Sequence, residues 1–164
     1  MEEHNANENS IHKIVNKLFS YISKDKEDIE KVLNETLQQS QNIFDLIAKY
    51  QKLFIKDETR SMDFYYDAAD HLTGAYMYLS PIVSIVDTLI SKQALKVYQL
   101  LKLESVNNKE KFTSASAERE SDFAVADMKI LFSIFEGFLD SCRMGIQTCR
   151  RRIVNTEEEF GLAR

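Results

Sequence analysis

Turn-forming residues are nearly missing from this chain: 164 residues carry four glycines and one proline. Average proteins hold roughly 12% of the two together. Sheet proteins need them at their many turns. Their scarcity therefore excludes sandwiches, barrels and most α/β folds, along with collagen-like and Pro/Gly-rich disordered chains. It leaves an all-α protein of long helices and few loops. Cysteine is scarce too. Cys142 and Cys149 lie seven residues apart in a helical pattern, so about 10 Å of helix axis separates them. That distance excludes a disulfide between them and leaves two small buried hydrophobes in a reducing compartment. Positive charge is short overall, with a formal net charge of −5. A basic footprint over the whole surface is excluded, whereas a local basic patch is not. No apolar run long enough to span a membrane is evident. The polar, acidic residues 1–9 lack the apolar segment of a signal peptide. Together these absences point to a soluble, cytoplasmic protein.

What the chain does have is hydrophobic periodicity. Residues 1–9 read as a disordered tail and 10–160 as one helical domain. Ser10 can cap a short helix whose apolar positions are Ile11, Ile14, Val15, Leu18, Phe19 and Ile22. After Ser23, a second helix is expected over 25–55, with Thr36 and Ser40 interrupting its stripe and setting register or allowing a bend. Ser61 can cap a third helix, 62–106. Its seam reads Ala69, Leu72, Tyr76, Leu79, Val83, Val86, Ile90, Gln93, Val97 and Leu100. Steps of three and four sustained this long imply coiled-coil-like packing. Pro81 should kink this helix or divide it in two. Residues 105–115 are the best loop in the chain. The Ser114–Ser116 region should then cap a fourth helix running to about 155, with the stripe Ala124, Met128, Leu131, Phe135, Phe138, Cys142, Ile146, Cys149 and Ile153. Gly137 and Gly145 beside that stripe permit close helix contact. Two long heptad segments joined by one loop make an antiparallel helical hairpin, with shorter N-terminal helices packed beside it.

The motifs of common chemistries are missing. The sequence holds no GxGxxG, Walker A, HExxH or CxxC pattern, and no nucleophile–base pair. No catalytic residue, metal ligand or cofactor is expected. Asp67 and His71 form an i,i+4 pair of the kind that decorates helix surfaces. Basic residues are more suggestive. Lys49, Lys52, Lys56 and Arg60 form one periodic stripe; Lys92 and Lys96 are i,i+4, with Lys102 further on; Arg150, Arg151 and Arg152 are consecutive, with Arg143 two turns earlier. Each set is a solvated helix face by default. The functional alternative is phosphate contact, with Tyr98 offering a ring that can stack on a base.

These segments resemble the UvsY family of phage recombination mediators. Tyr66-Asp67-Ala68-Ala69-Asp70 is similar to a Tyr-Glu-Ala-Ala-Asn segment that opens a helix there. Ala94-Leu95-Lys96 matches the start of the family's Ala-Leu-Lys-Ala-Arg segment, with Tyr98 standing where the family has its arginine. Residues 116–152 resemble the family's C-terminal helix with its basic end. The likeness covers about residues 62–160. It implies a homo-oligomer that binds single-stranded DNA and helps load a RecA-like recombinase onto DNA covered by single-strand-binding protein. Lys92, Lys96, Tyr98, Lys102, Arg150, Arg151 and Arg152 are the candidate nucleic-acid contacts. In a phage-encoded protein the site of action would be the host cytoplasm. The competing expectation is a non-enzymatic helical adaptor, or an oligomeric assembly or inhibitor protein, acting through protein–protein contacts.

Overall fold

The computed structural model describes residues 13–18, 20, 21, 24–56 and 60–159, and every regular element among them is α-helical. The expectations for the 1–9 tail, Ser10, Ile11, Phe19, Ile22 and Ser23 fall outside the described residues. After a helical stretch at 13–18, the elements are α1 (Lys26–Gln39), α2 (Gln41–Ile55), α3 (Met62–Asn107), α4 (Ser114–Ala124) and α5 (Ala126–Glu159).

The fold divides into two compact units. The first holds the described residues up to Leu37 together with Ile82–Ile134; the second holds Gln38–Pro81 and the described residues from Phe135 onward. In the first unit, Ile14, Leu18, Ile29, Val32 and Leu33 from the N-terminal helices share burial with Ile82, Ile85, Val86, Leu89, Val125 and Met128. Its core is almost wholly aliphatic. In the second, Phe44, Ile47 and Tyr50 of α2 join Tyr65, Leu72, Leu79, Phe135 and the two cysteines. Phe44 meets Phe135 edge-on at 5.8 Å and stacks on Phe138 at 4.1 Å. The pairs Tyr66–Glu157, Tyr76–Arg143 and Leu72–Gly145 show that α3 and α5 run antiparallel in this unit.

The single helix expected over 25–55 is two helices. Thr36 and Ser40 are both buried, and an apolar environment obliges their hydroxyls to find partners inside the protein. Thr36 Oγ1 donates to the Val32 carbonyl at 2.7 Å, and Ser40 Oγ lies 3.5 Å from Tyr78 Oη. Such back-bonding loosens a helix. Beyond it the amides of Ile43 and Phe44 both turn to the Ser40 carbonyl, at 3.0 and 3.1 Å.

Pro81 neither divides nor ends its helix, because α3 continues through it for 46 residues. Proline removes one backbone bond and crowds the preceding turn, at about 3 kcal/mol. The buried side chains on either side, Tyr78 and Leu79 before it and Ile82, Ile85 and Val86 after it, each contribute roughly 1.5–3 kcal/mol and outweigh that cost. The boundary between the two units nonetheless falls at Pro81–Ile82. One 18-residue window of α3 has a mean hydropathy of 1.2, enough by length and composition to cross a membrane, but 44% of it is buried inside the protein as core.

The observed seam of α3 is Tyr65, Ala68, Leu72, Ala75, Leu79, Ile82, Val86, Leu89 and Gln93. It keeps Leu72, Leu79, Val86 and Gln93 from the expected set, and the expected Ile90 is buried as well. The alternate positions shift by one residue, so Ala69, Tyr76 and Val83 are only half-buried. Burial also stops at Gln93, leaving Leu100 exposed. The fourth helix is divided as well. α4 ends at Val125 (φ −107°, ψ 9°), and its N-cap is Thr113 rather than a serine of 114–116. The seven-residue repeat survives this division, with Ser121, Met128, Phe135, Cys142 and Cys149 all buried. The loop is shorter than 105–115, since α3 runs to Asn107. There Lys109 adopts φ 57°, its amide donates to Val106, and the amide of Glu110 reaches back to the Ser105 carbonyl at 2.9 Å. These are the two bonds of a Schellman cap.

Candidate nucleic-acid interface

The two glycines expected at a close helix contact differ. A Cβ on Gly145 would stand 2.6 Å from Leu72 Cδ1, so the small residue is what lets α5 approach α3. Around Gly137 nothing lies within 4 Å, so no close contact explains it. Ser61 caps α3 as expected, accepting from the Phe64 amide at 3.3 Å. Both cysteines are free and buried. Burial pushes the Cys142 thiol up to about 11 and raises Cys149 as well, which makes them poor nucleophiles at neutral pH.

Of the expected nucleic-acid contacts, Lys92, Lys96, Tyr98 and Lys102 belong to the first unit, and Arg150, Arg151 and Arg152 to the second. Lys92 and Lys102 are exposed. Lys96 is engaged: its Nζ donates to Asp25 Oδ1 at 2.8 Å and holds that carboxyl below its ordinary value. Tyr98 is half-buried, edge-to-face with Phe112 at 5.7 Å, so part of its ring is already covered.

On α5, Arg150 and Arg151 are better placed for a ligand. Arg143 and Arg150, two turns apart, share a face and are exposed, as are Arg151 and Arg152. Arg150 and Arg151 have no ion pair among the described residues. Arg143 sits 6.0 Å over the Tyr76 ring and bonds Asp140 at 3.1 Å. The ring of Tyr76, expected in the seam, instead braces a guanidinium. Nearby on the same pair of helices, Tyr66 Oη donates to Glu157 at 3.4 Å.

The stripe Lys49, Lys52, Lys56, Arg60 does not form as one helical row. α2 ends at Ile55, Lys56 is its C-cap, and Arg60 lies beyond residues 57–59 with its guanidinium 4.9 Å over Phe64. His71 pairs with Asp67 on the helix surface as expected, and its Nδ1 also lies 3.1 Å from Tyr50 Oη. No cluster of three metal-ligating side chains occurs among the described residues. The second unit also has a cleft of about 370 Å³ walled by Tyr50, Phe54, Leu72 and Met144, with Gln51 donating to Ser141 at its rim. The side chains lining it include no carboxylate, amine, imidazole or thiol.

No known protein family, curated protein or solved structure matches this chain.

Proposed function

We propose that this chain is a non-enzymatic, single-stranded DNA-binding recombination mediator that helps load a RecA-like recombinase onto DNA covered by single-strand-binding protein. The observation that carries the reading is the set of exposed arginines on α5, with Arg143 and Arg150 on one face and Arg151 about 100° around the helix from Arg150. Guanidinium groups grip phosphate through planar, paired donors. Bracing Arg143 on Tyr76 lowers the conformational freedom that binding would otherwise remove. Such an interface needs no active site, in accord with the missing catalytic motifs. Binding to a labelled oligonucleotide should fall steeply between low and moderate salt. Replacing Arg143, Arg150 and Arg151 by Gln should lower affinity and flatten the salt slope by about 0.7 for each phosphate no longer neutralised. Absence of binding at both salts would remove the reading. The second reading is a helical adaptor or an assembly or inhibitor protein acting through protein surfaces. It is favoured by the apolar side chains that α3, α4 and α5 leave in solvent, including Leu103 and Phe123. Capture of a protein partner by a chain that binds no DNA would select it.

A further inference from the structure

The cleft of the second unit is walled by α2 and α5, with Leu72 of α3 also lining it, and it holds about 370 Å³. Small-molecule sites span roughly 300–1,000 Å³. Its inner wall depends on a missing side chain. Gly145 lines it, and a Cβ there would stand 2.6 Å from Leu72 Cδ1 and 3.6 Å from Phe54 Cε2. Ile47, Tyr50 and Leu72 are buried, so the core holds this wall in place, and Phe54 is half-buried. Two further lining residues, Ile55 and Met144, are 81% and 68% exposed. Apolar surface left in water is costly, and an occupant of the cleft that covers these side chains recovers that cost. Methionine adapts to irregular shapes and makes favourable contacts with ring edges.

The lining selects the chemistry of that occupant. It offers no charged side chain, so it has nothing to pair with an ionised group removed from water. Its hydroxyls are already committed. Ser141 Oγ donates to the Gly137 carbonyl at 2.8 Å and accepts from Gln51 Nε2 at 2.8 Å; Thr148 Oγ1 donates to the Met144 carbonyl at 2.9 Å; Tyr50 Oη lies 3.1 Å from His71 Nδ1. The bond to Ser141 steadies the Gln51 side chain across the rim. It leaves Gln51 Oε1, which accepts from no described residue, as the available acceptor. On one wall the rings of Tyr50 and Phe54 are stacked, 6.4 Å apart. A cavity of about 150 Å³ takes one benzene, so this cleft has room for two fused rings. We infer that it binds a neutral molecule of two fused aromatic rings with one N–H or O–H donor, of the indole or naphthol class, the donor bonding Gln51 Oε1. The site uses none of the arginines proposed for DNA and stands whether or not the chain binds a strand.

The test is titration of the full chain with 2-naphthol, followed by calorimetry and by the methyl resonances of its five methionines. Binding should saturate at one molecule per chain. The Met144 methyl should shift, while that of Met128, buried in the first unit, stays in place. Naphthalene, which lacks the donor, should bind about 2–10-fold more weakly. The anion 2-naphthoate should bind more weakly by roughly tenfold or more. Gln51→Leu should abolish the preference for 2-naphthol over naphthalene. Gly145→Ala narrows the cleft and should weaken 2-naphthol by roughly tenfold. Because that change also presses on Leu72, Met144→Ser at an exposed position is its companion, and should weaken binding while thermal unfolding stays unchanged. Gly137→Ala, with nothing within 4 Å, should leave binding as it was. A titration that does not saturate overturns the inference, as does a Met144 methyl that does not move. Equal binding by 2-naphthoate, or undiminished binding in both Gly145→Ala and Met144→Ser, places the probe outside the cleft and overturns it too. So does a preference for 2-naphthol that survives in Gln51→Leu.

Discussion

The two compact units draw on the same two long helices, yet they fill their cores with different chemistry. The first is packed with branched aliphatic side chains, Ile82, Val86 and Leu89 among them, and is laced at its edge by the ion pairs Lys17–Glu35 and Lys96–Asp25. The second is packed with rings. Phe44 meets Phe135, and Tyr50, Phe54 and Phe64 meet one another. Two free thiols are buried there, and Gly145 admits Leu72. Aliphatic residues follow one another along a heptad seam, Ile82, Val86 and Leu89 among them. Rings fill more volume per residue but pack at fixed angles, and here they leave a cleft beside them. Both units leave apolar residues exposed, Leu103 and Phe123 in the first and Ile55 and Met77 in the second, and the second also carries the exposed arginines of α5.

The largest expected effect separates the two cores. Phe135→Ala removes a fully buried ring, and Leu89→Ala a fully buried aliphatic. They should cost about 3–5 and 2–5 kcal/mol respectively in urea unfolding. If the compact units are also cooperative units, near-UV circular dichroism from the rings will respond to the first far more than to the second. Next comes the glycine pair in the ring-filled unit. Gly145→Val meets Leu72 and should cost about 1–3 kcal/mol. Gly137→Ala meets nothing and should stabilise by about 0.5–1 kcal/mol through helix propensity. Equal effects would deny the close approach at Gly145. In the aliphatic unit, Lys109→Gly at φ 57° should raise stability by about 1 kcal/mol, because a left-handed residue with a Cβ is strained.

The smallest effect is acid sensitivity. Hydrogen bonds donated by Lys17 and Lys96 hold Glu35 and Asp25 below their ordinary values of 4.5 and 3.8. A depressed carboxyl stabilises the fold above its unfolded value, and the contribution is lost as pH falls past that value and through the folded one. Because the pairs are exposed, the loss is small. An acid titration of Lys96→Ala against the unmodified chain should show that the variant has less to lose below pH 3.8.

The helical class and the heptad positions Leu72, Leu79, Val86, Met128, Phe135, Cys142 and Cys149 were legible from periodicity alone, because a seven-residue spacing fixes which side chains meet. The alternate positions were less legible. Ala68 and Ala75 lie in the seam while Ala69 and Tyr76 flank it, and apolarity does not distinguish neighbours of similar character. The break at Val125 escaped for another reason, since the chain there leaves one helix without glycine or proline, whereas the division at Ser40 falls at the Thr36–Ser40 interruption where a bend was one of two expectations. The candidate site was legible as charge but not as availability. Nothing in Lys96 announces Asp25, 71 positions away in sequence, and nothing in Tyr98 announces Phe112.

The persistence of the seven-residue phase through Val125 makes the chain there behave like a reading frame. Residues before and after the break face the core together only because their count is right. Deleting one residue at this point would turn α4 about 100° against α5, carrying Ser121 off the seam and Phe123 off its exposed side. An insertion of seven into the intact chain would instead keep both close to their present phase. Length at this point, more than the identity of any residue there, is what the fold has to conserve.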